Sequence, residues 1–154
     1  MGVRINDRVT EDGKRLEKTL RELAALEVRI GFQQRKVNKD GVDLVDIAMF
    51  NELGTVRIPS RPFLRNSVDS NSDKINAFLQ TRKKGILNGE SAKETLKEIG
   101  VFQKGLIQEQ IVEGSFAPNA EATIRKKKSA TPLIDTGRMR QSVNFVIRKK
   151  GGSD

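Results

Sequence analysis

Pro59 and Pro62 constrain this chain more than any other feature. Each fixes its own φ, lacks a backbone donor and pushes the residue before it, Ile58 or Arg61, into an extended conformation. A helix cannot run through such a stretch, and the centre of a sheet does not accept it. Just upstream, Leu44, Val45, Ala48 and Met49 repeat at the three-to-four spacing of a buried helical face. In Asn51-Glu52-Leu53-Gly54-Thr55, Gly54 then stands where a left-handed residue usually stops a helix. The pattern predicts a helix ending near Gly54, followed by a stiff, extended connector or edge strand. Along it, Ile58 and Phe63 are apolar anchors, and Arg57, Arg61 and Arg65 project. A connector with few accessible states loses little entropy when it is fixed against a neighbour. The same residues also read as a structural corner between two helices.

The rest of the chain alternates between helical and strand patterns. Ile5 to Leu26 reads as a charged amphipathic helix with Leu16, Leu20 and Leu23 on one side. Val28, Ile30 and Phe32 then alternate with Glu27, Arg29 and Gly31, as in a strand with one buried face. Gln33 to Gly41 is polar and reads as a loop or hairpin turn. Leu64, Val68, Ile75, Leu79 and Ile86 fit a helical face, weakened in the middle by Ser70, Asn71 and Ser72. Ser91 with Glu94 forms a capping box for a further helix, and Gly100 and Gly105 inside it predict close packing or a bend. Positions 114–131 read as a flexible loop, because Arg125, Lys126, Lys127 and Lys128 repel one another. Asp135 or Thr136 can cap a short helix, after which Val143, Phe145 and Ile147 mark a last strand and 149–154 a frayed tail. These patterns predict one α+β domain over 1–154. It has a small, mostly antiparallel sheet, three to four helices and a long mobile basic loop.

The residue inventory excludes much chemistry. The chain has 0 Cys and 0 His among 154 residues, which removes disulfides, thiolate sites, and the commonest metal ligand and general base. Glu52 and Asp135 are available as carboxylates, yet nothing in the sequence brings them together. No phosphate-cradling glycine loop is present, and Asp40, Asp43 and Asp46 lack the alternation of a calcium loop. The expectation is a protein that is not an enzyme and uses no cofactor or metal. No apolar run reaches membrane-spanning length and no hydrophobic signal region opens the chain, so cytoplasmic synthesis without a membrane is expected. Phe is the only aromatic type, with 0 Trp and 0 Tyr, which disfavours stacking platforms for single strands. The net charge of +9 is uneven: nine basic and three acidic residues follow position 120, against 20 and 17 before it. That imbalance suits contact with a polyanion or an acidic protein. The run Arg125 to Lys128 reads either as a solvated loop or as that contact.

Three segments resemble, in order and spacing, the virion-morphogenesis or tail-completion proteins of long-tailed bacteriophages and prophages. They are Ile47 to Thr55, Ile58-Pro59-Ser60-Arg61-Pro62-Phe63-Leu64-Arg65, and Thr123 to Lys128 leading to Pro132-Leu133-Ile134-Asp135-Thr136-Gly137-Arg138-Met139. Leu53 stands where that family often carries an aromatic, and the first 40 residues and the basic tail lie outside the likeness. The resemblance implies a small α+β subunit of the neck, assembled in the host cytoplasm and resident in the virion. It implies a ring, expected to be six-fold, that caps the tail tube and meets the head-closure proteins, close to packaged DNA. On that reading Arg57, Arg61, Pro62, Phe63 and Arg65 form a subunit contact, with Phe63 as anchor and Arg61 gripping a carboxylate; Phe63 filling its own core is the equal alternative. Asn51, Glu52, Gly54 and Thr55 would tie down the turn after the helix. Pro132, Asp135, Thr136 and Gly137 would set the last helix and strand. The runner-up function is a basic DNA-binding accessory protein; a prophage-encoded inhibitor or toxin has no residue in its favour.

Overall fold

In the computed structural model, which describes residues 8–32, 41–128, 130–134 and 137–152, the longest helix begins on the capping box. The Ser91 hydroxyl accepts from the Glu94 backbone at 3.2 Å, and the Glu94 carboxylate accepts from the Ser91 N–H at 3.2 Å. That helix, Ala92–Glu113, is the spine against which the other elements pack. Before it come α1 (Glu11–Ala25), β1 (Leu26–Phe32), α2 (Leu44–Leu53), α3 (Phe63–Asp69) and α4 (Ser72–Leu87). The spine is α5, and α6 (Glu121–Lys127), α7 (Arg138–Ser142) and β2 (Val143–Lys149) follow. Among the described residues this is an α+β fold with 7 helices and one two-stranded antiparallel sheet. The expected class holds, while the helix number exceeds three to four because short helices fill what reads as connectors.

The sheet joins the two ends of the chain. Val28 faces Ile147, Ile30 faces Phe145 and Phe32 faces Val143, so both strands turn the same apolar set to one side. On the other side Glu27 lies opposite Arg148, whose Nε donates to its carboxylate at 2.9 Å. Gly100 lets α5 lie flush on the apolar side, because a Cβ there would stand 2.4 Å from the Phe145 ring. Gly105 has open space around it, so of the two glycines only Gly100 is explained by packing. The core gathers at the other half of α5, where Ala48, Phe63, Ile107, Ile111, Leu133, Met139 and Val143 form one buried cluster. Phe32 meets Phe63 edge-on, with ring centroids 6.2 Å apart at 84°.

Several expectations change. Helix α1 buries Thr19 between Leu16 and Leu23, leaving Leu20 52% exposed, so its inner face is 16–19–23. The break near Ser70 does separate two helices. Residues 114–131 are not one loop, since Glu121–Lys127 is helical with Glu121 in its first turn and Arg125, Lys126 and Lys127 in its last. That order complements the helix dipole and turns successive cations to different sides. Lys149 belongs to β2 and the Lys150 N–H donates to the Ala25 carbonyl at 2.9 Å, so the tail is held at its start; positions 153–154 lie outside the described residues.

Gly100→Ala should lower stability by about 1–3 kcal/mol, the usual cost of overpacking, whereas Gly105→Ala should raise it by up to about 1 kcal/mol through helix propensity alone. Thermal denaturation of the two variants checks the contrast. The Ser91 hydroxyl, then the Ser91 N–H and Lys97, hold the Glu94 carboxyl below its ordinary pKa. A folded pKa below the unfolded one means stability that is present above the unfolded value and lost as pH falls through the folded one. Glu94→Gln should therefore flatten the acid side of a Tm-against-pH curve and leave its neutral and alkaline shape unchanged.

Candidate functional site

The connector between α2 and α3 folds back on the end of α2 instead of extending. Thr55 starts the reversal: its N–H donates to the Ile58 carbonyl at 2.8 Å and its hydroxyl accepts from the Ile58 N–H at 3.0 Å. Gly54 closes the helix at φ 78, and a Cβ there would lie 2.8 Å from the Ser60 backbone nitrogen. Glycine is thus required twice, for the backbone angle and for the close approach. Ser60 Oγ donates to the Glu52 carbonyl at 2.8 Å, and the Arg61 N–H donates to the Asn51 carbonyl at 2.6 Å. Orphan carbonyls at the end of α2 are satisfied in this way.

Glu52 works across the turn. Its two carboxylate oxygens accept from the backbone N–H groups of Leu64, at 2.8 Å, and Arg65, at 3.0 Å. Pro62, at the cap position of α3, provides no side-chain cap, so a carboxylate ten residues upstream serves instead. Beside it the Arg61 side chain is enclosed, with the residue 5% exposed. Nε donates to the Ala117 carbonyl at 2.8 Å, Nη2 to the Pro118 carbonyl at 3.1 Å, and Nη1 to Asn51 Oδ1 at 3.0 Å. Asn51 in turn donates through Nδ2 to the Ile47 carbonyl at 2.8 Å. Burial lowers the guanidinium pKa from its ordinary value, yet arginine remains charged at neutral pH. Among the described residues it meets neutral oxygens and no carboxylate, and the carbonyl end of α2 adds a favourable field.

The expectation that Arg61 and Phe63 meet a neighbouring subunit is therefore corrected. Phe63 is 0% exposed inside the chain's own core, and the forked donors of Arg61 are taken by Asn51 and the segment before α6. Pro62 is half-buried, while Arg57 and Arg65 are exposed. Of the third segment, the Pro132 carbonyl accepts from Asn119 Nδ2 at 3.4 Å and Lys127 Nζ at 3.5 Å, and Gly137, at φ 72, opens α7. Asp135 and Thr136, expected to cap that helix, lie outside the described residues. The basic run is not a uniform surface: Lys127 is half-buried on Pro132, Arg125 stands 3.8 Å from Glu121, and Lys126 and Lys128 are exposed. Together the three segments supply Ala48, Phe63, Leu133 and Met139 to one cluster.

Compared with known proteins, the chain gives no significant match. This holds for family models, curated proteins and solved structures alike. Among the described residues no cluster of three or more acidic side chains is arranged to hold a metal, and no helix is long and apolar enough to cross a membrane.

Two surface features are not evident from the sequence patterns. Helix α2 is apolar on more than one side, which ordinarily marks a helix enclosed by neighbours, yet Met49, Phe50 and Leu53 are 47%, 40% and 64% exposed. Val56, just beyond, is fully exposed. The signal was present in Leu44–Leu53, where the apolar residues outnumber one helical face. The second is a groove of about 430 Å³ along α4 and α5, lined by Phe78, Val101 and Phe102 with Glu94, Lys97 and Glu98 at its edge. Phe78 and Phe102 stack at 4.1 Å, and Arg82 sits over the Phe78 ring at 5.3 Å while pairing with Glu90 and Glu98.

Arg61→Lys should destabilise the fold by about 2–4 kcal/mol, because one ammonium cannot satisfy three divergent acceptors and unmade buried bonds are costly. Glu52→Ala should cost about 0.5–2 kcal/mol by uncapping α3. Denaturant titrations measure both, and an Asn51→Ala, Arg61→Ala cycle should return a coupling energy between the two side chains.

Proposed function

We propose that this protein is a structural subunit of a bacteriophage head–tail junction, a tail-completion or neck protein that assembles as a ring of its own copies. The observation that supports the reading best is the convergence of the three resembling segments. Ala48 of the first segment, Phe63 of the second, and Leu133 and Met139 of the third share one buried cluster, and the first two segments are also tied by the Arg61–Asn51 and Glu52 hydrogen bonds. Their spacing in sequence thus corresponds to a single piece of architecture, as expected if the segments are kept together to hold a common framework. The exposed stripe on α2 supports self-assembly, because a thin core and an uncovered apolar face favour burial between subunits.

Partners on this reading are further copies, the tail-tube protein and the head-closure proteins. A role in binding DNA has less support, since Lys127 is anchored on Pro132 and Arg125 has an acidic neighbour. Native mass spectrometry and light scattering test the proposal. The expected result is a closed homo-oligomer, formed either alone or on added tail-tube protein. A strict monomer that also fails to join tubes overturns it. Binding to duplex DNA that falls steeply between two salt concentrations would favour the DNA reading instead.

A further inference from the structure

The exposed stripe and the open groove belong to different parts of one chain. Asp46, Met49, Phe50 and Leu53 fall at i, i+3, i+4 and i+7, so they form a single ridge along α2 with an acidic residue at its start. The opposite side of the same helix is fixed, because Ala48 is 2% exposed in the cluster with Ile107 and Ile111. The groove lies toward the other end of α5, around Val101 and Phe102. From Val101 to Ile111 the helix advances roughly 15 Å. A chain held this way cannot lay its own ridge in its own groove.

We propose that the α2 ridge of one copy docks in the α4–α5 groove of the next, so that the contact is head-to-tail. This rests on the ring reading and specifies its contact. Shape and charge agree: a row of exposed apolar side chains meets an apolar floor of Phe78, Val101 and Phe102. Asp46 at the start of the ridge faces a groove whose edge carries Lys97. Both are exposed and neither lies in an ion pair among the described residues; Glu98 is engaged by Arg82, and Glu94 chiefly by Ser91, with Lys97 acting on it only as a nearby charge. Ridge and groove are different surfaces, so each copy offers one of each and the contact repeats in one direction. Such heterologous contacts close into rings when the rotation permits.

The absence of native cysteine makes the test direct. Leu53, 64% exposed, and Val101, 55% exposed, are replaced singly to give Leu53→Cys and isotope-labelled Val101→Cys proteins, which are mixed and oxidised. The expected product is a disulfide dimer joining one labelled chain to one unlabelled chain. Products that join like to like, or no product while wild-type protein assembles, overturn the pairing and leave the ring reading standing. A mixed dimer from a protein that never joins tail tubes upholds the pairing and removes the phage reading. A wild-type protein monomeric under every condition ends both. As a second measurement, Leu53→Lys and Val101→Arg should each abolish assembly alone. Mixed, they should form heterodimers that grow no further, because only one functional ridge and one functional groove remain. If Val101→Arg protein assembles like wild type, the groove plays no part and the proposal fails.

Discussion

A buried guanidinium that meets no carboxylate among the described residues holds three parts of this chain together. Water solvates an exposed arginine well, so enclosing one is favourable only if its donors are met. Arg61 meets that condition with a side-chain amide on α2 and two carbonyls ahead of α6. The planar fork matters more than the charge. Its donors point in fixed directions, and the acceptors must therefore hold fixed positions relative to one another. Asn51 is fixed by its bond to Ile47, and the α2–α3 turn is fixed by Gly54, Thr55 and Glu52. The knot then sets where α3 starts, and with it the depth of Phe63 in the core.

Local chemistry was legible in the sequence and long-range chemistry was not. Ser91 and Glu94 announce their helix because both partners lie within one turn. Alternation alone revealed both strands, and Gly54 alone revealed the end of α2. Arg61 stands out in the sequence, but its destination does not. Its acceptors on Ala117 and Pro118 are backbone carbonyls, which every residue carries, more than fifty positions away. Glu52 ties down the turn after α2 as its position suggests, but through the N–H groups of the next helix, because a proline occupies that helix's own cap. In Arg125–Lys128 repulsion between neighbours argues for a loop, but the helix dipole and the anchoring of Lys127 oppose it, and residues 121–127 are helical.

The spine helix has two unlike halves. Toward its C-terminus Ile107 and Ile111 are sealed in one cluster with Ala48 of α2, Phe63 of α3 and Met139 of α7. Toward its N-terminus it is partnered by α4, which has no fully buried residue and is held by the Phe78–Phe102 stack and the Arg82 cluster. One half supplies a rigid framework and the other leaves apolar surface open. The proposed ring calls on both properties.

The pairing of β1 with β2 carries a consequence for biosynthesis. The two strands lie on opposite sides of nearly the whole sequence, with Leu26 opposite Lys149. While the ribosome is still making the intervening helices, the apolar side of the first strand has no second strand beside it. Closure of so large a loop is slow, and nascent chains with unpaired strands are prone to stick to one another. Emergence of residues 143–149 is therefore the event that completes the sheet. A nonsense codon at Val143 would leave Ile30 and Phe32 without their strand partners.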